Sequence, residues 1–402
     1  IDTGYQTIIV AGGLARRAGQ RELETLVTPE FARRFHGHVV VHDAEDPQLV
    51  ELGIHAGTPL RVNRALVETE LVVTVTAAET VLHGGPAALL GAAGPEAQRL
   101  AGASSLLETS GSAGWALAVA IERALARRVP LIGTSLVLNH PVVGGAARGY
   151  PYEPEALERI ARSPLRHLFA TLPRPVRAYA IRSLPLELTV SAAFAGPPSV
   201  AHAEALLRAV ELRFATLDRP LDVIVMGVPG ATPYLPRERP NPLLAGYLGL
   251  GLALRLWRDA FPVVSGGTAV LLSRFSRHFA HPTQQPYRAF FQAARPGREG
   301  DRRAEAERGA IADAHAVEAY RSGRACHPAL PFRDWDGCRP AADRLGAVMI
   351  AGCRDAAAAR QLGFIPVHGL GAAVEMARGR AGTGARIGFL LSPPYFPLRV
   401  GP

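Results

Sequence analysis

Three histidines sit close together at His36, His38 and His42, and a strand of period two sets all three on one side. Imidazoles so placed hold zinc or another borderline metal, with His55 or Asp43 as further ligands. An isolated His-x-His is a weak signal, and solvated or core-edge histidines are the stronger expectation. Cys326-His327 with Cys338 offers a second cluster, but no fourth ligand stands at suitable spacing. Gly12-Gly13 closes an apolar strand and precedes a helix, where backbone N–H groups hold an anion. A plain tight turn explains that pair about as well. Nucleophile chemistry of the Gly-x-Ser-x-Gly type is disfavoured, because the pattern does not occur. The sharpest exclusion is lysine. All 44 basic residues are arginine. No Schiff base, P-loop lysine or amine-tethered cofactor can therefore form on this chain.

The elements that must position these groups alternate. Thr7–Ala11, His38–His42, Leu71–Thr76, Pro130–Thr134 and Leu188–Phe194 read as strands in the first half. Glu22–Phe35, Trp115–Arg128 and Pro198–Leu217 read as helices, and Pro59–Leu66 as a helix opening on proline. The pattern restarts at Asp222–Val228, with strands at Thr268–Leu272, Gly346–Ala351 and Arg386–Leu391. Helices fall at Leu243–Trp257, Ala304–Arg321, Ala356–Leu362 and Leu370–Ala377. The glycines of Gly246-Tyr247-Leu248-Gly249-Leu250-Gly251 lie inside a helical run and imply close packing, not a dinucleotide fingerprint. The expected fold is two α/β domains, with mainly parallel sheets and flanking helices, the second Rossmann-like. Their spans are 1–217 and 218–402, hinged near Arg219-Pro220 with a cleft between them. An arginine-rich insertion at about 139–186 interrupts the first. It is expected to be a helical excursion packed on the first domain or a partner, with an anionic membrane surface or a loose insertion as alternatives.

A chain of 402 residues with 48% hydrophobic and 20% charged residues is globular and large enough for two cores. Its net charge of +9 is spread among interleaved acids, as in Asp301–Arg308, so no nucleic-acid partner is expected. Three cysteines without CxxC spacing suit free thiols in a cytoplasmic protein, and no transmembrane run is seen.

Several segments resemble the lactate racemase family, which uses a nickel-pincer nucleotide. The family's strand followed by Thr-Gly-Thr-His-Arg is similar to Ile9–Arg16. Its Asn-His-Asp-x-x-Asp-Pro is similar to Val41–Pro47, and its Arg-Gly-Thr-Pro-x-x-Val-Asn-Arg to Ala56–Arg64, the most specific match. The strand Glu70–Thr76, the run Phe194–Pro198 and the closing Gly-x-Arg-Ile follow in order. The family's opening Asp-x-Thr-Arg-Pro region would precede Ile1.

The resemblance implies a racemase or epimerase of 2-hydroxy acids, with a small 2-hydroxy acid as ligand. It implies that His83 is the remaining catalytic histidine. It places Gly12, Gly13, Arg16, Asp43, Thr58, Gly84 and Gly85 around a nickel-pincer nucleotide. The departures are chemical. Ala15 stands where the family has a catalytic histidine, and Pro86 or Ala87 where its tethering lysine stands. The nickel-ligating histidine falls near Gly102 or Ala103, so metal ligands are left unassigned. Any nucleotide would be held non-covalently. The alternative is a catalytically inactive homologue that binds a nucleotide, a small acid or a partner protein.

Overall fold

The computed structural model describes residues 4–19, 22–23, 28–78, 84–100, 113–139, 142–150, 153–187, 189–213, 216–228, 240–255, 257–258, 261–277, 279, 282–293, 301–390 and 398–400.

The first half is built from small sheets. β1 (Thr7–Val10) pairs in parallel with β2 (His38–Val41), with the short helix α1 (Pro29–Arg34) between them. Thr28 caps α1 through its side chain, and Pro29 supplies the fixed first turn. β3 (Val50–His55) and β4 (Thr58–Val62) form an antiparallel hairpin. The expected helix over Pro59–Leu66 is therefore wrong. Burial alternates along Thr58–Val62, with Leu60 and Val62 inward, so the apolar period is two, not 3.6. Only Arg64–Leu66 turns helically, in a single 3₁₀ turn capped by Asn63.

β5 (Val72–Ala77) runs parallel to β6 (Leu131–Leu138), and β9 (Val190–Gly196) returns antiparallel on the far side of β6. Helices α2 (Ala87–Gly91), α3 (Pro95–Leu100) and α4 (Ala113–Ala126) pack beside this sheet. The β6–β9 connection carries β7 (Val142–Val143), α5 (Pro154–Arg162), α6 (Leu165–Thr171), α7 (Arg174–Arg182) and β8 (Leu186–Glu187). The excursion is helical as expected. It is not packed into the first half: Ala156 is its one fully buried hydrophobic side chain among the described residues.

α8 (Pro198–Arg213) leads through β10 (Thr216–Leu217) into the second half. A five-stranded, wholly parallel sheet forms there, in the order β15 (Ile365–Val367), β14 (Ala347–Ala351), β13 (Val263–Leu272), β11 (Leu221–Gly227), β16 (Ile387–Leu390). Nearly every residue of β11, β14 and the latter part of β13 is buried, as continuous apolar strands covered on both faces must be. The helices are α9 (Pro242–Gly246), α10 (Gln285–Ala293), α11 (Asp301–Ala312), α12 (Ala314–Arg321), α13 (Leu330–Ala342), α14 (Ala356–Gln361) and α15 (Leu370–Ala381). The expected helix Leu243–Trp257 is irregular: α9 widens into a π turn at Tyr247–Leu252 and tightens to 3₁₀ at Ala253–Arg255. Gly249 and Gly251 are there for close packing, since a Cβ at Gly249 would lie 2.7 Å from Leu271.

The strand order reverses between β11 and β16, the place where open parallel sheets bind ligands. The loops that follow these two strands, 229–239 and 391–397, lie outside the described residues. β12 (Trp257–Arg258) and β10 flank β17 (Leu398–Val400) in a small parallel sheet. The chain is thus mixed α/β, with a parallel sheet flanked by helices. Among the described residues no helix is long and apolar enough to cross a membrane.

Candidate functional site

Gly84 and Gly85 follow β5 and precede α2. The N–H of Gly85 donates to Thr76 Oγ1 at 2.8 Å, and Gly85 has φ +56°. Both glycines are pressed against His202 of α8: a Cβ would come within 2.2 Å of its Cε1 from Gly84 and 2.3 Å of its Cβ from Gly85. His202 is fully buried, with Nδ1 3.0 Å from Ser135 Oγ. Its ring stacks with Trp115 at 6.3 Å. Nearby, the N–H and hydroxyl of Ser199 both donate to the buried Glu122 carboxylate, each at 3.0 Å. Thus α4, α8, β6 and the glycine loop are cross-tied by polar contacts. Ser135 with His202 has the form of a nucleophile and base. However, Ser135 is 1% exposed and Glu122 is bonded to Ser199, so the pair positions the loop and cannot meet a substrate.

The second glycine pair lies at the other end of α2. The N–H of Gly13 donates to Gly91 O at 3.0 Å, and its φ is +57°. Where a Cβ would stand, Gln98 Oε1 lies 2.4 Å away. Tyr320, from the second half, donates its hydroxyl to Gly13 O at 2.9 Å and accepts the N–H of Ala44 at 3.0 Å. Burial pushes the Tyr320 phenol well up, so it stays neutral. Beside it, His327 Nε2 meets Glu45 Oε1 at 2.8 Å, and the His327 N–H donates to Leu14 O at 3.0 Å. Asp43 is bridged by Arg321 at 3.2 Å and Arg17 at 3.6 Å. Leu14, Tyr320 and His327 are all fully buried at this seam. Their apolar bodies fill the seam, and their polar atoms satisfy one another across it.

The sequence-derived residues therefore divide. Gly12, Gly13 and Asp43 lie at the seam, and Gly84 and Gly85 lie five residues of helix away. Arg16 faces Glu22 and the carbonyl of Arg17, so its guanidinium is occupied locally. Thr58 is buried at the far end of the hairpin, opposite His55, and does not join the others. His83 lies outside the described residues. An open groove of about 560 Å³ runs between the hairpin and α4, lined by His55, Leu60, Trp115, Arg123 and Arg127 among others.

The histidine cluster does not converge. His36 and His38 are exposed, whereas His42 is buried with Nε2 donating to Ala93 O at 2.9 Å and Nδ1 accepting from Asn63 at 3.3 Å. Burial lowers the His42 pKa and keeps the ring neutral. Among the described residues no group of three His, Cys, Asp or Glu side chains is placed to hold a metal. Cys326 and Cys338 are buried thiols outside any disulfide, and His327 is directed at Glu45 instead.

Sequence reasoning missed Tyr320, His327 and Glu45 as one group, and missed His202, Ser135 and Glu122 entirely. The nearest available signal was the Val41–Pro47 run, which carries both His42 and Glu45.

Residues 4–84 match the family model described as the lactate racemase N-terminal domain. Over those residues the chain is similar to the lactate racemase family. The matching segments build the region just described: His42, from one, bonds Asn63, from another. The fold extends the likeness to the whole chain. The lactate racemase apoprotein from Thermoanaerobacterium thermosaccharolyticum superposes with a TM-score of 0.56 at 13% identity, over 98% of this chain and 78% of that one. A structural-genomics protein from Thermotoga maritima superposes at 0.54 and 12% identity, over 98% and 85%. No curated protein matches the sequence. The lactate racemase architecture is thus shared along the chain, while its chemical groups must be judged residue by residue.

Proposed function

We propose that this lactate-racemase-like protein binds a small carboxylate of the 2-hydroxy-acid class, or a nucleotide, by non-covalent contacts alone, and does not interconvert the enantiomers of lactate. One observation carries the reading: a racemase-like chain of 402 residues contains no lysine. The family's tethered nickel-pincer nucleotide needs an amine, so the residues present do not fit the tethered group. Ala15, where the resemblance puts a catalytic histidine, cannot move a proton. A positioned general base usually supplies about 10²–10⁴-fold in rate. The contacts at Arg16, Gly84 and Gly85 support the same reading, because these groups are tied to protein partners. The division into 1–217 and 218–402 belongs to this proposal. Residues Arg219 and Pro220 link the halves, and Arg386 holds both of their carbonyls.

Intact-mass measurement of protein from a host that makes the pincer nucleotide, with a chiral assay of D- and L-lactate, tests the reading. The bare polypeptide mass and no enantiomer exchange are expected. A stable adduct or rapid exchange would overturn it.

A further inference from the structure

We propose that the α5–α7 excursion is an interfacial membrane-docking element that lies on anionic lipid headgroups. From Arg159 to Leu186 the sequence carries six arginines and no carboxylate, in a chain whose arginines elsewhere alternate with acids. Several apolar side chains of the same stretch are turned out, while Ile160, Leu172 and Leu184 are half-buried. Leu165, Leu168 and Phe169 occupy one face of α6 at i, i+3 and i+4, and Leu165 and Leu168 are 65% and 59% exposed. On α7, Val176, Tyr179 and Ile181 are exposed as well, Tyr179 at 75%. Glu158 of α5 pairs with Arg162 at 2.9 Å, but Arg166, Arg174, Arg177 and Arg182 follow with no carboxylate before Glu187. A protein surface rarely gathers bare aliphatic groups with such an excess of positive charge.

The combination selects the occupant. Headgroups of phosphatidylglycerol or phosphatidylserine neutralise guanidinium groups, while the leucines of α6, and Val176 with Tyr179 at i and i+3 on α7, enter the acyl boundary below them. Arginine stems span the two layers. A nucleic-acid groove would employ the arginines and Tyr179 but leave the aliphatic face in water. The fold leaves the element free to do this. It leaves and re-enters the sheet through the two-residue pair β7–β8, so it projects from the β6–β9 edge with little of its own surface buried. The inference is independent of the ligand proposed above.

The full-length protein is sedimented with vesicles of phosphatidylglycerol and phosphatidylcholine, and with pure phosphatidylcholine. Binding is expected on the anionic vesicles and not on the neutral ones. Leu168→Asp with Tyr179→Asp should lower it by about tenfold or more, and Arg166→Gln with Arg177→Gln by a similar factor that shrinks in high salt. Arg166, Leu168 and Tyr179 are exposed and Arg177 is half-buried, so the thermal midpoint should move little, and this control is measured alongside. Vesicles should also slow tryptic cutting between Arg159 and Arg182. Three results would overturn the proposal. One is equal or absent partition onto both vesicle types. Another is anionic binding that ignores the Leu168 and Tyr179 changes, which marks charge-only adsorption of the nucleic-acid kind. The third is a dimer in light scattering that Leu168→Asp dissociates while vesicles stay unbound, which gives the face to a second copy.

Discussion

Gly85 and Tyr320 show how single residues set this site. A side chain at Gly85 meets the Cβ of His202 at 2.3 Å and Pro198 O at 2.8 Å, at a φ of +56°. Neither neighbour is the free end of a flexible chain. Gly85→Ala should therefore lose about 3 kcal/mol of stability, read from urea unfolding, and no loss would mean that the loop repacks freely. Tyr320→Phe removes a hydroxyl that joins Gly13 O to the N–H of Ala44 in the buried seam. Leaving both unsatisfied should cost about 1–3 kcal/mol. The glycines at 12–13 and 84–85 were legible in the sequence because turns demand them. Their partners were not: Tyr320 is 307 residues from Gly13, and His202 is a lone histidine on a helix. Nothing local in either stretch announces the contact.

At the scale of elements, legibility followed burial pattern. Asp222–Val228, Thr268–Leu272 and Gly346–Ala351 read correctly as strands because a parallel strand covered on both faces is a continuous apolar run. The β3–β4 hairpin was lost because Pro59 suggests a helix start, whereas here it pairs across from Ile54 in the hairpin ladder. The π turn at Tyr247–Leu252 could not be read, since it is imposed by what lies beneath. Gly249 rests on Leu271 of the central strand β13, and Gly251 rests on Tyr247 and the backbone at Gly337. Gly249→Ala forces a methyl to within 2.7 Å of the Leu271 side chain. It should destabilise by about 1–3 kcal/mol, the usual effect of overpacking. A gain in stability, of the kind a glycine-to-alanine change gives in an ordinary helix, would show that the turn can relax to α.

At the scale of the molecule, the alternation of strands and helices made both halves visible, but not the way their faces lock. Each half also buries ionisable groups of its own, and these give the protein a distinctive pH response. Asp334 on α13 is buried, with Tyr287 donating to its Oδ2 at 2.5 Å and Arg333 at 3.7 Å from Oδ1. Burial pushes its carboxyl up to about 6, against the pull of Arg333 and the Tyr287 hydrogen bond. A raised folded pKa means that the unfolded chain releases the proton first. The stabilisation is complete below about 3.8 and is lost as pH rises through about 6, amounting to roughly 3 kcal/mol. His42 acts oppositely: its lowered pKa favours folding above 6.5, and that contribution falls away as the ring is forced to protonate in acid. The wild-type profile mixes these with every other carboxylate, so the informative quantity is a difference. Asp334→Asn keeps the shape and an acceptor for Tyr287 but cannot ionise. Its unfolding free energy minus that of the wild type should rise between pH 4 and 6 and level off above, leaving the variant the more stable at pH 8. A difference that stays flat from pH 4 to 8 would mean that Asp334 ionises in the folded protein as easily as in the unfolded chain, and that the core around α13 admits water.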